Sequence, residues 1–219
     1  MNPLRQEEIF RQPFYRFQKS EVEKLSLVKG EDSWYTIYGQ DMQELFHCHV
    51  LGNCTRGMTA HSDRDDPEEL FRLEPKGKLL NMTYFVSVPD GNDTIATINL
   101  FASRGMKVLG ADDHELFRVV DGRAPLDKFM TDALQGACKA YNIALGSTCA
   151  GVFKTHERPA NRSDKAPGFI RRSIGKLLGP GSDWCLDLGD NANRIADHRP
   201  LLASMVLLLE QTVRLDQSS

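Results

Sequence analysis

The sequence lacks several features that would assign it to a class at once. Its five cysteines are scattered and include no CxxC pair, which favours reduced thiols in a cytosol over a disulfide framework. The first fourteen residues contain no apolar stretch of the kind that a secretory signal needs. Lysine and arginine number 27 against 30 acidic residues, so bulk binding to nucleic acid is excluded. We therefore expect a cytoplasmic protein that binds no nucleic acid.

Catalytic motifs are missing as well. The chain contains no GxSxG, HExxH, GxGxxG or P-loop, and its serines have no histidine and acid at a recognised spacing. A Cys–His nucleophilic pair stays open, because such partners meet in space rather than in sequence. We predict a protein that is not an enzyme and holds no cofactor.

What the sequence does contain is a series of short β-branched and aromatic runs separated by turn residues. Turn-forming pairs such as Asp90-Gly91 and Asp121-Gly122 lie between them, and the connections are too short for crossover helices. An antiparallel meander is predicted. Ten runs indicate strands, at 14–17, 34–38, 44–50, 79–88, 94–101, 106–110, 115–120, 141–145, 149–156 and 183–188.

Three segments interrupt this pattern. The charged stretch 52–77 predicts a long loop, with one helical turn at 67–71 where proline and acids suit a helix start. Residues 125–137 form the best helix candidate in the middle of the chain, and 157–181 is rich in proline and glycine and is expected to be irregular.

The stretch after Pro200 decides the architecture, because it predicts a helix without a polar face. Asp197 is the expected N-cap, and the leucine, alanine and methionine content favours a helix. From Leu201 to Leu209 the only polar side chain is Ser204, whose hydroxyl can bond back to its own helix. A helix that is apolar all round must be surrounded on every side.

A bilayer does not provide those surroundings. The thirteen residues from Leu201 to Val213 span about 20 Å, whereas the hydrocarbon layer is about 30 Å thick, so no transmembrane span is expected. A single closed antiparallel β-barrel of about twelve strands around the helix fits better, with a core of about 14–216 and further strands within 24–29, 70–73 or 169–178. The alternative is an amphipathic helix that closes a sandwich or covers a dimer face.

The order of these motifs resembles a known family. Strand–turn–strand units occur at TYFVSVPDGNDTIATINLF and MKVLGADDHELFRVV, followed by DWCLDL and the apolar ADHRPLLASMVLLLEQ. With the opening FYRFQKS and WYTIYGQDMQELFHCHV, this pattern is similar to the tubby-like C-terminal superfamily, in its phospholipid scramblase and LURP-one-related branch. The resemblance implies a twelve-stranded barrel around a hydrophobic helix, in a family whose members include binders of membrane phospholipids.

The chain also departs from the scramblases. It has neither their proline-rich amino-terminal region nor their cysteine-rich palmitoylation segment. Where their calcium segment lies, this chain has oxygen donors that do not follow the register of a calcium loop, so a solvated turn with a helix cap is the preferred interpretation. These donors are Asp187, Asp190, Asn191, Asn193 and Asp197.

The main candidate site is a basic cluster between residues 154 and 176. Seven basic residues stand there against two acidic ones, a net +5 on a chain of net −3, and the nearby apolar residues 169–178 could insert into a membrane. The ordinary alternative is a charged loop whose apolar residues cap the barrel. The predicted anion- or lipid-binding residues are Lys154, Arg158, Arg162, Lys165, Arg171, Arg172 and Lys176.

Two further clusters are weaker candidates. His47 and His49 would share one face of a strand, and Cys54 or His61 could complete a tetrahedral metal site, but one short cluster does not establish a metal and none is predicted. The acidic run 63–69 predicts a solvated loop.

The sequence thus favours a non-catalytic barrel that binds anionic phospholipid or another phosphate-bearing partner at a membrane surface. Peripheral membrane association would accompany a cytoplasmic location. The alternative is a protein-interaction or regulatory scaffold that uses the 52–77 segment to hold a protein partner and has no lipid affinity.

Overall fold

A computed structural model describes residues 8–23, 32–52, 54–63, 67–77, 83–89, 93–101, 105–121, 140–156 and 183–217. These residues form strands, one 3₁₀ helix at Gly189–Arg194 and one long α-helix, α1, at Arg199–Gln217. The strands are β1 (Phe14–Glu23), β2 (Asp32–Tyr38), β3 (Glu44–Leu51), β4 (Gly57–His61), β5 (Glu69–Lys76), β6 (Thr83–Ser87), β7 (Thr94–Phe101), β8 (Gly105–Gly110), β9 (Glu115–Asp121), β10 (Ala140–Leu145), β11 (Thr148–His156) and β12 (Asp183–Asp187).

The twelve strands form one closed antiparallel barrel. Each strand pairs with its neighbours in the sequence, and the ring closes where β1 pairs with β12, with Phe17 opposite Trp184. The prediction of a closed barrel of about twelve strands is therefore confirmed. Ten of the strands overlap the runs that the sequence pattern predicted, although β1 continues from the predicted 14–17 to Glu23 and β6 begins at Thr83 instead of 79.

Every second side chain along the strands points into the barrel. On β8, Met106 and Val108 are buried while Lys107 and Leu109 are half-buried, which is the period-2 pattern of a strand with one face in the core. Aromatic and aliphatic side chains of nearly every strand join one continuous core with the apolar residues of α1.

The helix α1 begins as its sequence predicted. The Asp197 carboxylate accepts a hydrogen bond from the backbone N–H of Arg199 at 2.9 Å and so satisfies one donor of the first turn. The Ser204 hydroxyl donates a hydrogen bond to the carbonyl of Pro200 at 2.7 Å. The one polar side chain between Leu201 and Leu209 is thus satisfied within its own helix.

The helix lies inside the barrel. All ten residues from 201 to 210 are buried, so α1 has no exposed face over this length. The helix packs against β6 and β7 on one side, and its Glu210 contacts Lys19 of β1 and Tyr35 of β2 on the other. Because β1 and β7 lie across the ring from one another, these contacts require that α1 run through the interior. The alternative of a helix covering a sandwich or a dimer face is wrong.

The prediction of a long loop at 52–77 is also wrong, because this segment contains β4 and β5. The helical turn expected at 67–71 is likewise absent, because Glu69 already begins β5. The additional strand expected at 70–73 is confirmed as part of β5. The segment was misjudged because the outward residues of β5 are charged and Pro75 interrupts its apolar run.

Other predictions lie outside the described residues. They are the strands at 24–29 and 169–178, the helix at 125–137 and the irregular segment at 157–181. As expected from the length of its apolar stretch, α1 falls short of what a bilayer crossing requires, and no other helix in the described ranges meets that requirement.

Candidate functional site

The antiparallel order sorts the connections between strands to the two ends of the barrel. Six connections meet at the end where β1 leads into β2, and α1 directs its Glu210 towards this end. Five connections and the segment before α1 meet at the opposite end. The first set comprises residues 24–31, 52–56, 77–82, 102–104, 122–139 and 157–182, and the second comprises 39–43, 62–68, 88–93, 111–114, 146–147 and 188–198.

The connections at the two ends differ in charge. Counted from the sequence, the first set holds fourteen lysines and arginines against five acids, a net +9, and the second holds two against eleven, a net −9. We call these the basic end and the acidic end. Among the described side chains, Lys19, Arg56, Lys76 and Lys154 lie at the basic end, together with the buried carboxylates of Asp32 and Glu210.

The structure describes one of the seven predicted anion-binding residues. Lys154 is exposed near the end of β11, opposite Ala140 on one side and Cys185 on the other, and thus lies at the basic end. The remaining six predicted residues lie outside the described residues: Arg158, Arg162, Lys165, Arg171, Arg172 and Lys176. The connection 157–182 that contains them joins the basic ends of β11 and β12.

Three further exposed cations at the basic end were missed by the sequence argument. Lys19, Arg56 and Lys76 come from β1, the β3–β4 connection and β5. Arg56 pairs with the buried carboxylate of Asp32 at 2.6 Å, whereas the ammonium of Lys76 lies 5.4 Å from the centre of the Phe85 ring. These cations are far apart in sequence, so only strand pairing reveals that they share an end.

An aromatic group lies on the inner side of the barrel near the same end. The half-buried Trp184 packs against the core and stacks on Phe153 with ring centres 4.9 Å apart, and Tyr141 lies 6.2 Å from the same indole. Lys154 follows Phe153 along β11 and therefore faces the outer side. The aromatic group belongs to the core and does not join the exposed cations.

A buried ionic network closes the interior near this end. The Glu210 carboxylate accepts hydrogen bonds from the Tyr35 hydroxyl at 2.5 Å and from the Lys19 ammonium at 3.0 Å. Burial, followed by the negative charge of Glu210, raises the pKa of the Tyr35 phenol well above its usual value near 10. The network ties the helix to two neighbouring strands of the wall.

The histidine cluster is assembled in part. His47 and His49 share the outer face of β3, and His61 lies directly opposite His47 on β4. Cys54 is instead fully buried in the core, so it cannot complete a site on the outer wall. Within the described ranges, no group of three histidine, cysteine, aspartate or glutamate side chains is placed to hold a metal ion.

The oxygen donors before α1 form a structured turn. Asn191 belongs to the 3₁₀ helix and accepts a hydrogen bond from Arg194, which also donates to Thr148 at 3.0 Å. Asp197 is occupied by the helix start and by the guanidinium of Arg199, at 2.7 Å. The helix cap expected in this segment is confirmed by the Asp197–Arg199 hydrogen bond, and the residues before it form a 3₁₀ helix.

Comparisons with protein-family models, with curated proteins and with solved structures found no match to this chain.

Proposed function

We propose that the protein docks on an anionic phospholipid surface, or on another phosphate-bearing partner, through the basic end of its barrel, without catalysing a reaction. The observation that carries this proposal is the difference in charge between the two ends of the barrel. Lys19, Arg56, Lys76 and Lys154 lie at the basic end, and by sequence the connections that join strands there carry a net +9 on a chain of net −3. Such a difference favours an approach to an anionic surface with the basic end first.

Electrostatics gives this docking its strength. Basic residues near an anionic membrane surface contribute about 1 kcal/mol each, and the attraction declines within a Debye length of about 8 Å at physiological salt. Lys154 and Lys76 are exposed at the basic end, and the 157–182 connection adds six bases against two acids. The acidic end, about one barrel length away, would face the aqueous phase.

The membership that we propose is the scramblase and LURP-one-related branch of the tubby-like superfamily. A twelve-stranded barrel with an enclosed apolar helix is what that resemblance implied, and the fold agrees with it in both respects. The non-catalytic character stays part of the proposal.

Vesicle sedimentation tests the proposal. The full chain is mixed with vesicles of phosphatidylcholine alone or with 30% phosphatidylserine, at low and at physiological salt. We expect pelleting only with the anionic vesicles and weaker pelleting at higher salt. Inorganic phosphate or a soluble inositol phosphate, added as a competitor, separates recognition of a free phosphate from recognition of a lipid surface.

A matched pair of variants locates the surface. Arg171→Glu with Arg172→Glu should weaken binding by at least about 2 kcal/mol, or about 30-fold, since two attractions become repulsions. Arg11→Glu with Arg194→Glu makes the same change in net charge near the acidic end and should leave binding within about twofold. Equal recovery in the supernatant with every vesicle, or equal loss in both variants, would refute docking by the basic end.

A second candidate function uses the acidic end. Its described connections expose carboxylates from separate hairpins, including Asp41, Asp63, Asp93, Asp112 and Asp190. Such a surface favours a basic protein partner, as a regulatory scaffold would need. A pull-down whose partner is lost on Asp112→Lys with Asp190→Lys, in a protein that does not sediment with vesicles, would support this function instead.

A further inference from the structure

Three histidines and one tryptophan form a compact group on the outer wall of β2, β3 and β4. The His49 imidazole stacks on the Trp34 indole, with ring centres 4.4 Å apart and planes 4° from parallel. The His61 ring lies 6.2 Å from the same indole. His47 is opposite His61 across the strand pair and is itself 5% exposed. The group therefore brings two half-buried imidazoles close to one indole.

Two nitrogens of this group have no hydrogen-bond partner among the described residues. Nε2 of His49 and Nδ1 of His61 are both buried atoms, and neither meets a donor or an acceptor within the described ranges. A neutral imidazole can leave one nitrogen as an unused acceptor at moderate cost, but a protonated imidazole carries a donor on both nitrogens. Protonation would turn each unused nitrogen into a buried charged donor without an acceptor, which is far more costly.

The charged neighbours relieve this cost only in part. His47 already contacts the Glu44 carboxylate at 2.9 Å through Nε2, and its Nδ1 lies 3.2 Å from the Thr36 hydroxyl. Glu69, opposite His61, pairs with Arg72 at 2.6 Å.

Burial lowers the pKa of His61 below its usual value near 6.5. The charges of His49 and His47 lower it further, whereas Glu69 raises it. The present packing thus favours an uncharged His61 ring.

We propose that the Trp34, His49 and His61 group is an acid-responsive site on the barrel wall, in which protonation displaces the two imidazoles and opens the stack on Trp34. Two like charges then form on rings that flank the same indole, so the rings separate towards water or towards the Glu44 and Glu69 carboxylates. The outer wall gains up to two positive charges, while the interior packing of β3 and β4 stays in place because Cys48 and Ala60 face the other side.

The fluorescence of Trp34 reports this change, because its indole stacks on His49. The chain has one other tryptophan, Trp184, which packs against Phe153 and Tyr141 away from the group and can be replaced. The emission of Trp184→Phe is followed from pH 8 to pH 5, with far-UV circular dichroism to show that the barrel stays folded. We expect a sigmoidal change with a midpoint below pH 6.5 and a slope steeper than that of one group. The matched control, Trp34→Phe, should show no transition in this range.

Variants and isotope labelling assign the protons. His61→Gln should reduce the slope to that of a single group, and His49→Gln should remove the change in Trp34 emission. His114→Gln, at an exposed hairpin, should leave both unchanged.

Should the His49 or His61 variant fail to fold, ¹³C-labelled histidine in the unmodified protein gives the titration of each ring. Trp34 emission that is constant down to pH 5, or His49 and His61 rings that stay neutral there, would overturn the proposal.

Discussion

The hydrogen bond from Tyr35 to Glu210 offers the sharpest test of how the helix is held inside the barrel. Tyr35→Phe removes one hydroxyl and keeps the ring, so the packing of β2 against α1 is preserved. The distance of 2.5 Å lies in the range of charge-assisted hydrogen bonds, which contribute about 1.5 to 3 kcal/mol. Loss of about 2 kcal/mol should lower the Tm by about 4 to 8 °C for a chain of this size.

The measurement is urea unfolding at pH 7, followed by circular dichroism. Tyr38→Phe is the matched control, because Tyr38 lies on the same strand with its side chain half-buried on the outer face, and we expect a change within about 0.5 kcal/mol. A double-mutant cycle of Tyr35→Phe with Glu210→Gln isolates the pair from general effects of substitution. We expect a coupling energy of about 1 to 3 kcal/mol.

A coupling energy near zero would refute the reasoning. It would mean that other partners stabilise the Glu210 carboxylate equally well when the Tyr35 hydroxyl is removed. The network near the basic end would then not position the helix. An equal loss of unfolding free energy in Tyr35→Phe and Tyr38→Phe would also refute the reasoning, because both changes remove a tyrosine hydroxyl from β2 and only Tyr35 bonds to Glu210 in the described structure.

Three further predictions concern titration, backbone strain and helix capping. Burial raises the pKa of both Tyr15 and Tyr35, so above pH 10 the folded state keeps protons that the unfolded chain releases. The free energy of unfolding should therefore be constant below pH 10 and fall above it by up to about 1.4 kcal/mol per pH unit for each tyrosine. Denaturant melts from pH 8 to 11.5 measure this slope, and Tyr35→Phe should reduce it. Gly57→Ala should destabilise the fold by more than about 1 kcal/mol in the same melts, because Gly57 has φ +104° and an added Cβ would lie 2.5 Å from a β5 carbonyl oxygen. Asp197→Ala removes the helix-start hydrogen bond and should cost about 1 kcal/mol, whereas Asp197→Asn should recover part of it.

The strands that sequence reasoning found share a clear period-2 pattern and a well-marked turn. β7 was predicted with its observed bounds because Thr94–Phe101 alternates between core and wall and follows a turn rich in aspartate and glycine. β4 was missed, and of β5 only residues 70–73 were expected to form a strand. β4 is five residues long and begins with a glycine at positive φ, and β5 contains a proline within its span.

The candidate site was predictable in composition but not in position. A count of charges along the chain identifies the basic cluster at 154–176. It does not show that Arg56 and Lys76, from distant hairpins, lie at the same end of the barrel, because that follows from strand order. The histidine group is a similar case. His47 and His49 are paired by alternation alone, whereas His61 joins them through the register between β3 and β4.

Closure of the ring by β1 and β12 constrains how the molecule can assemble. Within the described residues, four pairs join these two strands, from Phe14 to Phe17 with Asp187 to Trp184, and they connect segments near opposite ends of the sequence. Contacts so distant along the chain favour slow folding. Because α1 follows β12, its apolar surface is synthesised after all twelve strands. Barrel closure and enclosure of the helix therefore come late, and a chain that stops before them exposes the apolar inner face of the sheet to solvent.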